Sequence, residues 1–469
     1  MLKVRGLFVP VRTVALLLSE VLITCTAFYF FVILSAGHDI GALTFGLSVQ
    51  FAVVLGSLTV LMMVAVGLYN YATLIDYRAM VSRVVLALAL EGPIIFAATF
   101  LYRDSVWPAI PAWSIWYLEV IVALLSCLVI TRAIFLLIAD TRAWKRRVIV
   151  VGAGERADRI RALSERGSGG NFVPAAFVAF GTNEPHPGEW TVALDEGRDD
   201  GALYQLAWRC GATEIVVATD DRRGVPVKPL LECKARGIAV TEFLTFCERE
   251  SGRVDLDALR PSWLIYSDGF RVSWAARAVK RAFDIVVSAA MLVLTLPLLV
   301  LTCVAIKLED GGPIFYSQER VGLFGTRFTV HKFRSMRPDA EAAGGPQWAA
   351  KRDARVTYVG WFIRKVRIDE LPQLGNVLKG DMSFIGPRPE RPYFVDKLGE
   401  LIPFYGERHA VKPGITGWAQ ISAPYGASLH DARKKLSYDL YYVKNHNLLL
   451  DIIILIQTVR VILFGEGAR

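Results

Sequence analysis

Residues 361–390 read WFIRKVRIDELPQLGNVLKGDMSFIGPRPE, a stretch in which acids and bases stand unusually close. Arg364 and Arg367 come just ahead of Asp369-Glu370, and Arg388 lies between Pro387 and Pro389. Upstream, GGPIFYSQERVGLFGTRFTVHKFRSM forms two strand-like runs joined at Gly322 and Gly325, the second ending in Lys332 and Arg334. Cations and carboxylates packed this way suit phosphoryl transfer. The cations spread the charge of the transferring group, and a carboxylate holds Mg²⁺ or attacks phosphorus. Asp369 also reads as a helix N-cap, with Pro372 in the first turn and Glu370 answering the helix dipole. The two roles are compatible, because a carboxylate at a helix start beside arginines stays ionised. Taken singly, Lys332 and Arg367 read as a solvated or lipid-facing basic surface.

Those residues need a scaffold, and composition limits what it can be. Hydrophobic residues make up 54% of the 469-residue chain and the mean hydropathy is +0.39, which points to membrane segments in a protein of two or three domains. The net charge of +9 favours anionic partners, and with this hydrophobicity lipid and phosphate are favoured over nucleic acid. The six cysteines are scattered, with no C-x-x-C pair and no His cluster at zinc-finger spacing, and read as reduced packing residues facing membrane or cytosol.

Apolar runs of spanning length cover 11–34, 45–68, 84–101 and 113–138, which predicts four transmembrane helices. Lys3, Arg5 and Arg12 precede the first run, Arg78 and Arg83 occupy the second connection, and Arg142, Lys145, Arg146 and Arg147 follow the last. The first connection holds only His38 and Asp39, so both ends of the bundle belong in the cytoplasm. Trp107, Trp113, Trp116 and Tyr117 suit an outer interfacial belt. Glu91 and Glu119 fall in or beside the helices and read as helix-end or interhelix pairing rather than as a charged pathway.

From Arg147 the pattern turns to soluble α/β, with VIVVGAG leading into a helix, and runs to about residue 266 as a Rossmann-like unit. Gly152, Gly154 and Ala157 make a G-x-G-x-x-A turn able to cradle a pyrophosphate. The next strand ends at Phe180 with no acidic residue for a ribose, which leaves a vestigial or regulatory module as the competing reading. The apolar segment 283–306 is interrupted by Pro297 and flanked by Arg277, Lys280, Arg281 and Lys307. Positive charge at both ends predicts a re-entrant helix, broken at the proline, rather than a crossing. The last apolar stretch, 448–464, contains Asp451, Gln457 and Arg460 and reads as a helix lying on the membrane or packed on the domain.

The motifs KFRSM, DELPQL-x-NVLKGDMSFIGPRPE, VKPGITGWAQ and YDLYYVKN resemble the bacterial sugar transferase family, the monotopic phosphoglycosyl transferases. The likeness runs from about residue 280 to the end, and the bundle with a Rossmann-like domain resembles the large undecaprenyl-phosphate glucose or galactose phosphotransferases. The resemblance implies three domains. These are a four-helix transmembrane bundle (1–141), a Rossmann-like regulatory or nucleotide-binding-like α/β domain (142–268), and a catalytic α/β domain (269–469) with a re-entrant helix at about 280–307. It further implies that Asp369 attacks a UDP-sugar, that UMP leaves, and that the phosphosugar passes to undecaprenyl phosphate. Glu370 supports that step, Mg²⁺ with Asp369 among its ligands screens the diphosphate, Arg364 and Arg388 hold substrate phosphate, and Pro387-Arg388-Pro389 lies at the uridine. Lys332 and Arg334 join the substrate-binding set. The setting implied is the cytoplasmic face of a bacterial inner membrane, with a homodimer plausible by resemblance.

After GWAQ many relatives read V-N-G, whereas this chain continues Ile421-Ser422-Ala423-Pro424-Tyr425-Gly426. That resembles the sugar transferases of exopolysaccharide clusters linked to PEP-CTERM sorting and leaves the sugar open. Two other classes compete. A membrane-bound nucleotide-sugar dehydratase needs a second dinucleotide fingerprint and a Tyr-x-x-x-Lys pair, for which only Tyr393 and Lys397 have the spacing. A non-enzymatic scaffold of a polymer assembly complex would not need Asp369-Glu370 among basic residues.

Overall fold

The computed structural model describes residues 11–36, 42–69, 77–101, 124–135, 145–166, 172–180, 191–194, 201–221, 225–266, 273–337, 355–423 and 428–464, with short pieces at 2–4, 7–9, 122 and 426. Trp107, Trp113, Trp116, Tyr117, Glu119, Arg142, Pro424 and Tyr425 lie outside the described residues. Two compact units emerge, one essentially Phe8–Glu250 and the other Ser251–Arg469. The first holds both the apolar helices and the sheet. The start of the second is tied to its later part, where Val254 N donates to Ser437 O (3.0 Å) and Trp418 Nε1 to Gly252 O (2.8 Å).

In the first unit, α1 (Val11–Ala36), α2 (Ala42–Ala65) and α3 (Tyr77–Leu101) fall on the apolar runs, and a further helical stretch, α4, covers Leu124–Phe135. Phe28, Leu55, Met63, Met80, Val84, Leu88, Leu124 and Leu128 make their common core. The charges inside the runs pair between helices. Thr59 Oγ1 donates to Glu91 Oε1 at 2.7 Å, the interhelix pairing expected of Glu91. The sequence reading passed over Glu20 and Arg132, both fully buried. Arg132 Nε lies 2.8 Å from Glu20 Oε1, its Nη1 donates to Leu68 O at 3.0 Å, and its guanidinium lies over the Tyr69 ring. A buried charge is tolerated when its partner is buried with it.

The sheet of this unit is wholly parallel and comprises β1 (Arg146–Val151), β2 (Phe172–Phe180), β3 (Thr191–Leu194), β4 (Glu214–Val217) and β5 (Ala239–Glu242) in the order β3-β2-β1-β4-β5. Helices α5 (Glu155–Arg166), α6 (Ala202–Cys210), α7 (Val227–Ala235) and α8 (Phe243–Ser251) accompany it. The strand order reverses between β1 and β4, the place where doubly wound sheets bind ligands. Gly152 and Gly154 stand there, and Asp220, beyond β4, stands opposite them. Asp220 Oδ2 accepts from Glu155 N (2.9 Å) and Oδ1 from Arg156 N (3.2 Å). These are the helix N-terminal amides that a phosphate would use. A Cβ on Gly154 would fall 1.9 Å from Asp220 Oδ2, so this glycine admits the chain's own carboxylate. The turn singled out as a nucleotide cradle is thus already capped.

In the second unit, α9 (Pro261–Tyr266) precedes α10 (Trp274–Asp310), which is exposed along most of its length. Among the described residues α10 is the one helix long and apolar enough to cross a membrane; Val14–Phe30, Ala52–Ala65, Leu124–Phe135 and Leu448–Val459 are shorter apolar stretches. The helix continues through Pro297 instead of breaking there. Proline removes one N–H donor and so one helical hydrogen bond, which a helix of 37 residues survives. Both ends of α10 pack on the same unit. Asp284 Oδ1 accepts from Phe384 N (3.1 Å) and Ser383 Oγ (3.0 Å), while Ile306 is buried with Phe333, Ile363 and Ile368. The flanking cations serve the fold. Arg281 donates to Val377 O and Leu378 O, and Lys280 binds Asp284 and Asp451.

The rest of the unit wraps around these anchor points. Strands β6 (Phe315–Val321) and β7 (Arg327–Phe333) form an antiparallel hairpin. Helices α11 (Tyr358–Lys365) and α12 (Gln373–Lys379), strand β8 (Ser383–Ile385) and helix α13 (Pro392–Leu401) follow. Tyr393 and Lys397 fall on α13, which β8 reaches through the proline-bearing segment Gly386–Arg391 and not through a Gly-rich turn. Strand β9 (Gly414–Thr416) pairs parallel to β8, ahead of α14 (Trp418–Ser422), α15 (Leu429–Asn445) and α16 (Leu448–Phe464). Asp451 of α16 is fully buried, 2.7 Å from the Tyr442 hydroxyl and 3.0 Å from Lys280, so α16 packs on the domain.

Asp220→Ala should remove a cap from α5 and lower the stability of its unit by about 0.5–2 kcal/mol. Thermal melts of the unsubstituted protein should show no shift with millimolar dinucleotide; a saturable stabilisation by NAD⁺ or FAD would contradict the capped-turn geometry.

Candidate active site

Asp369 and Glu370 sit in a single 3₁₀ turn, Ile368–Glu370, with Pro372 at the N-cap position of α12. Asp369 is therefore not the cap that its spacing suggested. The turn is entered through Arg367, whose backbone is left-handed (φ 62°, ψ 19°). A non-glycine residue there costs about 1–3 kcal/mol. The strained turn sets Arg367 Nη1 3.8 Å from Glu370 Oε1, so its side chain serves the same carboxylate that the turn presents.

Glu370 is buried and collects cations from three directions. Lys332 Nζ donates to its Oε1 at 3.3 Å, Arg388 Nη2 to Oε1 at 2.5 Å and Arg388 Nη1 to Oε2 at 3.3 Å, with Arg367 beyond. Local structure fixes each of them. Lys332 lies on β7, which Asn376 of α12 clamps by donating Nδ2 to Thr329 O (2.7 Å) and accepting from His331 N (3.2 Å). Arg388 lies on a strap, Gly386–Glu390, that leaves β8. There the Gly386 and Gly414 backbones meet so closely that a Cβ on Gly414 would stand 2.1 Å from Gly386 N.

The electrostatics of the pair are unequal. Burial pushes the Glu370 carboxyl up, but Arg388, Lys332 and Arg367 outweigh it and hold the group well below the usual carboxylate range. Asp369 is pushed up to about 6, by burial first and by the Glu370 charge second, against Lys332 and Arg388. Its Oδ1 is buried with no hydrogen-bond partner among the described residues. Burial lowers Lys332, with Glu370 opposing, and Glu370 raises Arg388. One carboxylate is thus neutralised while its neighbour is left with an unengaged oxygen, as a nucleophile or a cation ligand requires.

Of the other residues singled out by sequence, Pro387 and Pro389 flank Arg388 in the strap. Arg364, in the last turn of α11, has no ion pair or side-chain hydrogen bond to a described residue. Arg334 turns away: it lies beyond the end of β7, is buried, and pairs with Asp310 at the end of α10. The strand alternation that would have put it beside Lys332 has stopped by then. Gly152 and Gly154 belong to the other unit, in the turn capped by Asp220. Sequence reasoning missed Asn376, Arg320, Arg408 and Asp439. Their contacts are with residues remote in the chain, Thr329 for Asn376, Pro389 for Arg320 and each other for Arg408 and Asp439, so local spacing gave no signal of them.

A Mg²⁺ ion fits this chemistry only in one mode. Among the described residues there is no group of three or more His, Cys, Asp or Glu able to hold a metal, and the oxygens of Glu370 are engaged. Asp369 Oδ1 is open. Mg²⁺ bound through one or two carboxylates, with phosphate and water completing the octahedron, suits such a site.

Residues 275–465 match the model of the family described as bacterial sugar transferase. A UDP-N-acetylgalactosamine-undecaprenyl-phosphate N-acetylgalactosaminephosphotransferase of Aeromonas hydrophila is 45% identical over 250 residues, 53% of this chain and 58% of the relative. An undecaprenyl-phosphate glucose phosphotransferase of Komagataeibacter xylinus is 41% identical over 194 residues, 40% of this chain and 36% of the relative. The chain thus spans little more than half, or less, of these two. An uncharacterized sugar transferase of Bacillus subtilis, EpsL, is 42% identical over 195 residues, 41% of this chain and 90% of the relative. With nine-tenths of that shorter relative covered, and with Lys332, Arg367, Asp369, Glu370 and Arg388 all inside the matched residues, this chain belongs to the bacterial sugar transferase family.

Proposed function

We propose that this protein transfers a sugar 1-phosphate from a UDP-sugar to undecaprenyl phosphate and thereby starts an exopolysaccharide or another lipid-linked glycan. The observation that carries the reading is the unequal pair: Asp369 with a buried, unengaged oxygen beside Glu370 locked among cations. The activities for which the Aeromonas and Komagataeibacter relatives are named support the same reaction.

Asp369 carboxylate attacks the phosphorus that bears the sugar. The bond to the bridging oxygen breaks and UMP departs with the electron pair, leaving the phosphosugar on Asp369. An oxygen of the lipid phosphate then attacks that phosphorus and returns Asp369 to its carboxylate form. Arg388 and Lys332, held on Glu370 until substrate arrives, share their donors with the diphosphate, and Arg364 adds a third cation. Pro387-Arg388-Pro389 faces the uridine. Glu370 keeps the cations in place and assists in proton handling. Asp369 would hold Mg²⁺, which when bound would screen the diphosphate charge.

The setting follows from the apolar elements. Helices α1–α4 serve as a four-helix transmembrane bundle, the parallel sheet as a Rossmann-like regulatory domain, and α10 as a re-entrant element of the catalytic domain at the cytoplasmic face of a bacterial inner membrane. The anchoring of both ends of α10 on one unit supports re-entry over crossing. Cysteine labelling should find both flanks of α10 on the cytoplasmic side. The sugar is a hexose or an N-acetylhexosamine, to be separated by a panel of UDP-sugars.

Asp369→Asn should reduce UMP release from the UDP-sugar to background, a loss of at least about 1,000-fold, in membranes that hold normal amounts of protein. A dehydratase or a scaffold would show no Asp369-dependent UMP release at all. Because the nucleophile must be ionised, release should fall as pH drops through about 6, the value to which Asp369 is raised. Lys332 lowers that value, so Lys332→Met should move the acid limb to higher pH; an unmoved limb would count against Asp369 as the titrating group.

A further inference from the structure

The strap that carries Arg388 is held by its carbonyls. Pro387 O accepts from Gly414 N (2.9 Å) and Glu390 O from Val321 N (3.0 Å). The two between them accept from arginine side chains, half-buried Arg320 and buried Arg408: Pro389 O from Arg320 Nη1 and Arg388 O from Arg408 Nη2, each at 3.1 Å. Four consecutive carbonyls therefore have donors from different elements, which leaves the peptide little freedom.

Arg408 stands out in this set. It is 6% exposed and lies in the 3₁₀ turn Tyr405–Ala410. Its Nη1 donates to the Tyr405 hydroxyl at 2.7 Å, and its Nη2 meets Asp439 Oδ2 of α15 at 2.8 Å. Asp439 is 2% exposed. A buried ion pair contributes little net stability over apolar residues of similar volume. What this pair supplies is a donor fixed under the carbonyl of the residue whose guanidinium grips Glu370.

We infer that Arg408 and Asp439 are positioning residues that set the reach of Arg388 into the site by clamping its backbone carbonyl. This rests on the reading of Arg388 as a ligand of the substrate phosphate. Asp439 orients Arg408, Arg408 holds the strap, and the strap aims the Arg388 head group. Neither residue need touch substrate. A small misplacement of a charge-bearing group is enough to cost about 10²-fold in rate, so a clamp two residues removed from the chemistry has a measurable effect.

A double-mutant cycle separates positioning from bulk folding. The purified full-length protein is titrated with UDP by calorimetry, with Asp439→Asn and with the volume-conserving pair Arg408→Met/Asp439→Leu, each in the parent and in an Arg388→Ala background. The apolar pair guards against an uncompensated buried charge, and its melting temperature should match the parent's. In the parent background each change should weaken UDP binding by about tenfold or more. In the Arg388→Ala background each should cost less than about twofold. Equal losses in both backgrounds, or no loss in the apolar pair, would overturn the positioning role. If Arg388→Ala itself leaves UDP affinity unchanged, the failure lies with Arg388 as a phosphate ligand instead.

Discussion

A carboxylate taken out of water must bring cations with it, and in this protein Glu370 is that carboxylate. Its burial is offset only when β7 supplies Lys332, the strained turn supplies Arg367 and the strap supplies Arg388. An unpaired buried charge costs several kcal/mol, so the three elements are driven to one point. The same assembly leaves Asp369, one residue earlier in the turn, with an oxygen that has no hydrogen-bond partner among the described residues. The inequality of two adjacent acids is thus a consequence of how one of them is neutralised.

Helix α10 is coupled to that point through polar contacts near its start as well as through the apolar packing of Ile306 on Phe333 and Ile368. Lys280 and Asp284 near the start of α10, Asp451 of α16 and Tyr442 of α15 form one buried cluster. Ser383 and Phe384 of β8 hydrogen-bond into it. Strand β8 runs directly into Gly386 and the strap. The long apolar helix α10 and the strap that carries Arg388 are therefore braced by the same few side chains, which suits the proposed transfer to a lipid acceptor.

Much of the site could be read from residue types. The Asp369-Glu370 pair, Arg388 between its prolines and Lys332 on a strand edge come together as their chemistry suggested, and the apolar runs mark the helices that form. What could not be read was direction. Arg334 has the same charge and nearly the same position in the chain as Lys332, yet it follows the end of β7 and goes to Asp310. Gly154 has the spacing of a nucleotide turn, but only the return of β4 reveals that Asp220 fills it. Pro297 looked like a break because proline lacks a donor, whereas a long helix absorbs the loss. Asp439 and Arg408 escaped notice because their partners are remote in the chain, and local spacing carries no trace of such contacts.

In the proposed reaction a phosphosugar rests on Asp369 between two half-reactions. Detergent-purified protein incubated with its UDP-sugar and no lipid acceptor, then quenched and digested, answers this by peptide mass spectrometry. The peptide containing Asp369 should gain the mass of one sugar phosphate, the gain should disappear when undecaprenyl phosphate is added, and it should be absent in Asp369→Asn. Turnover to lipid-linked product with no such adduct at any quench time, or an adduct on another residue, would contradict it.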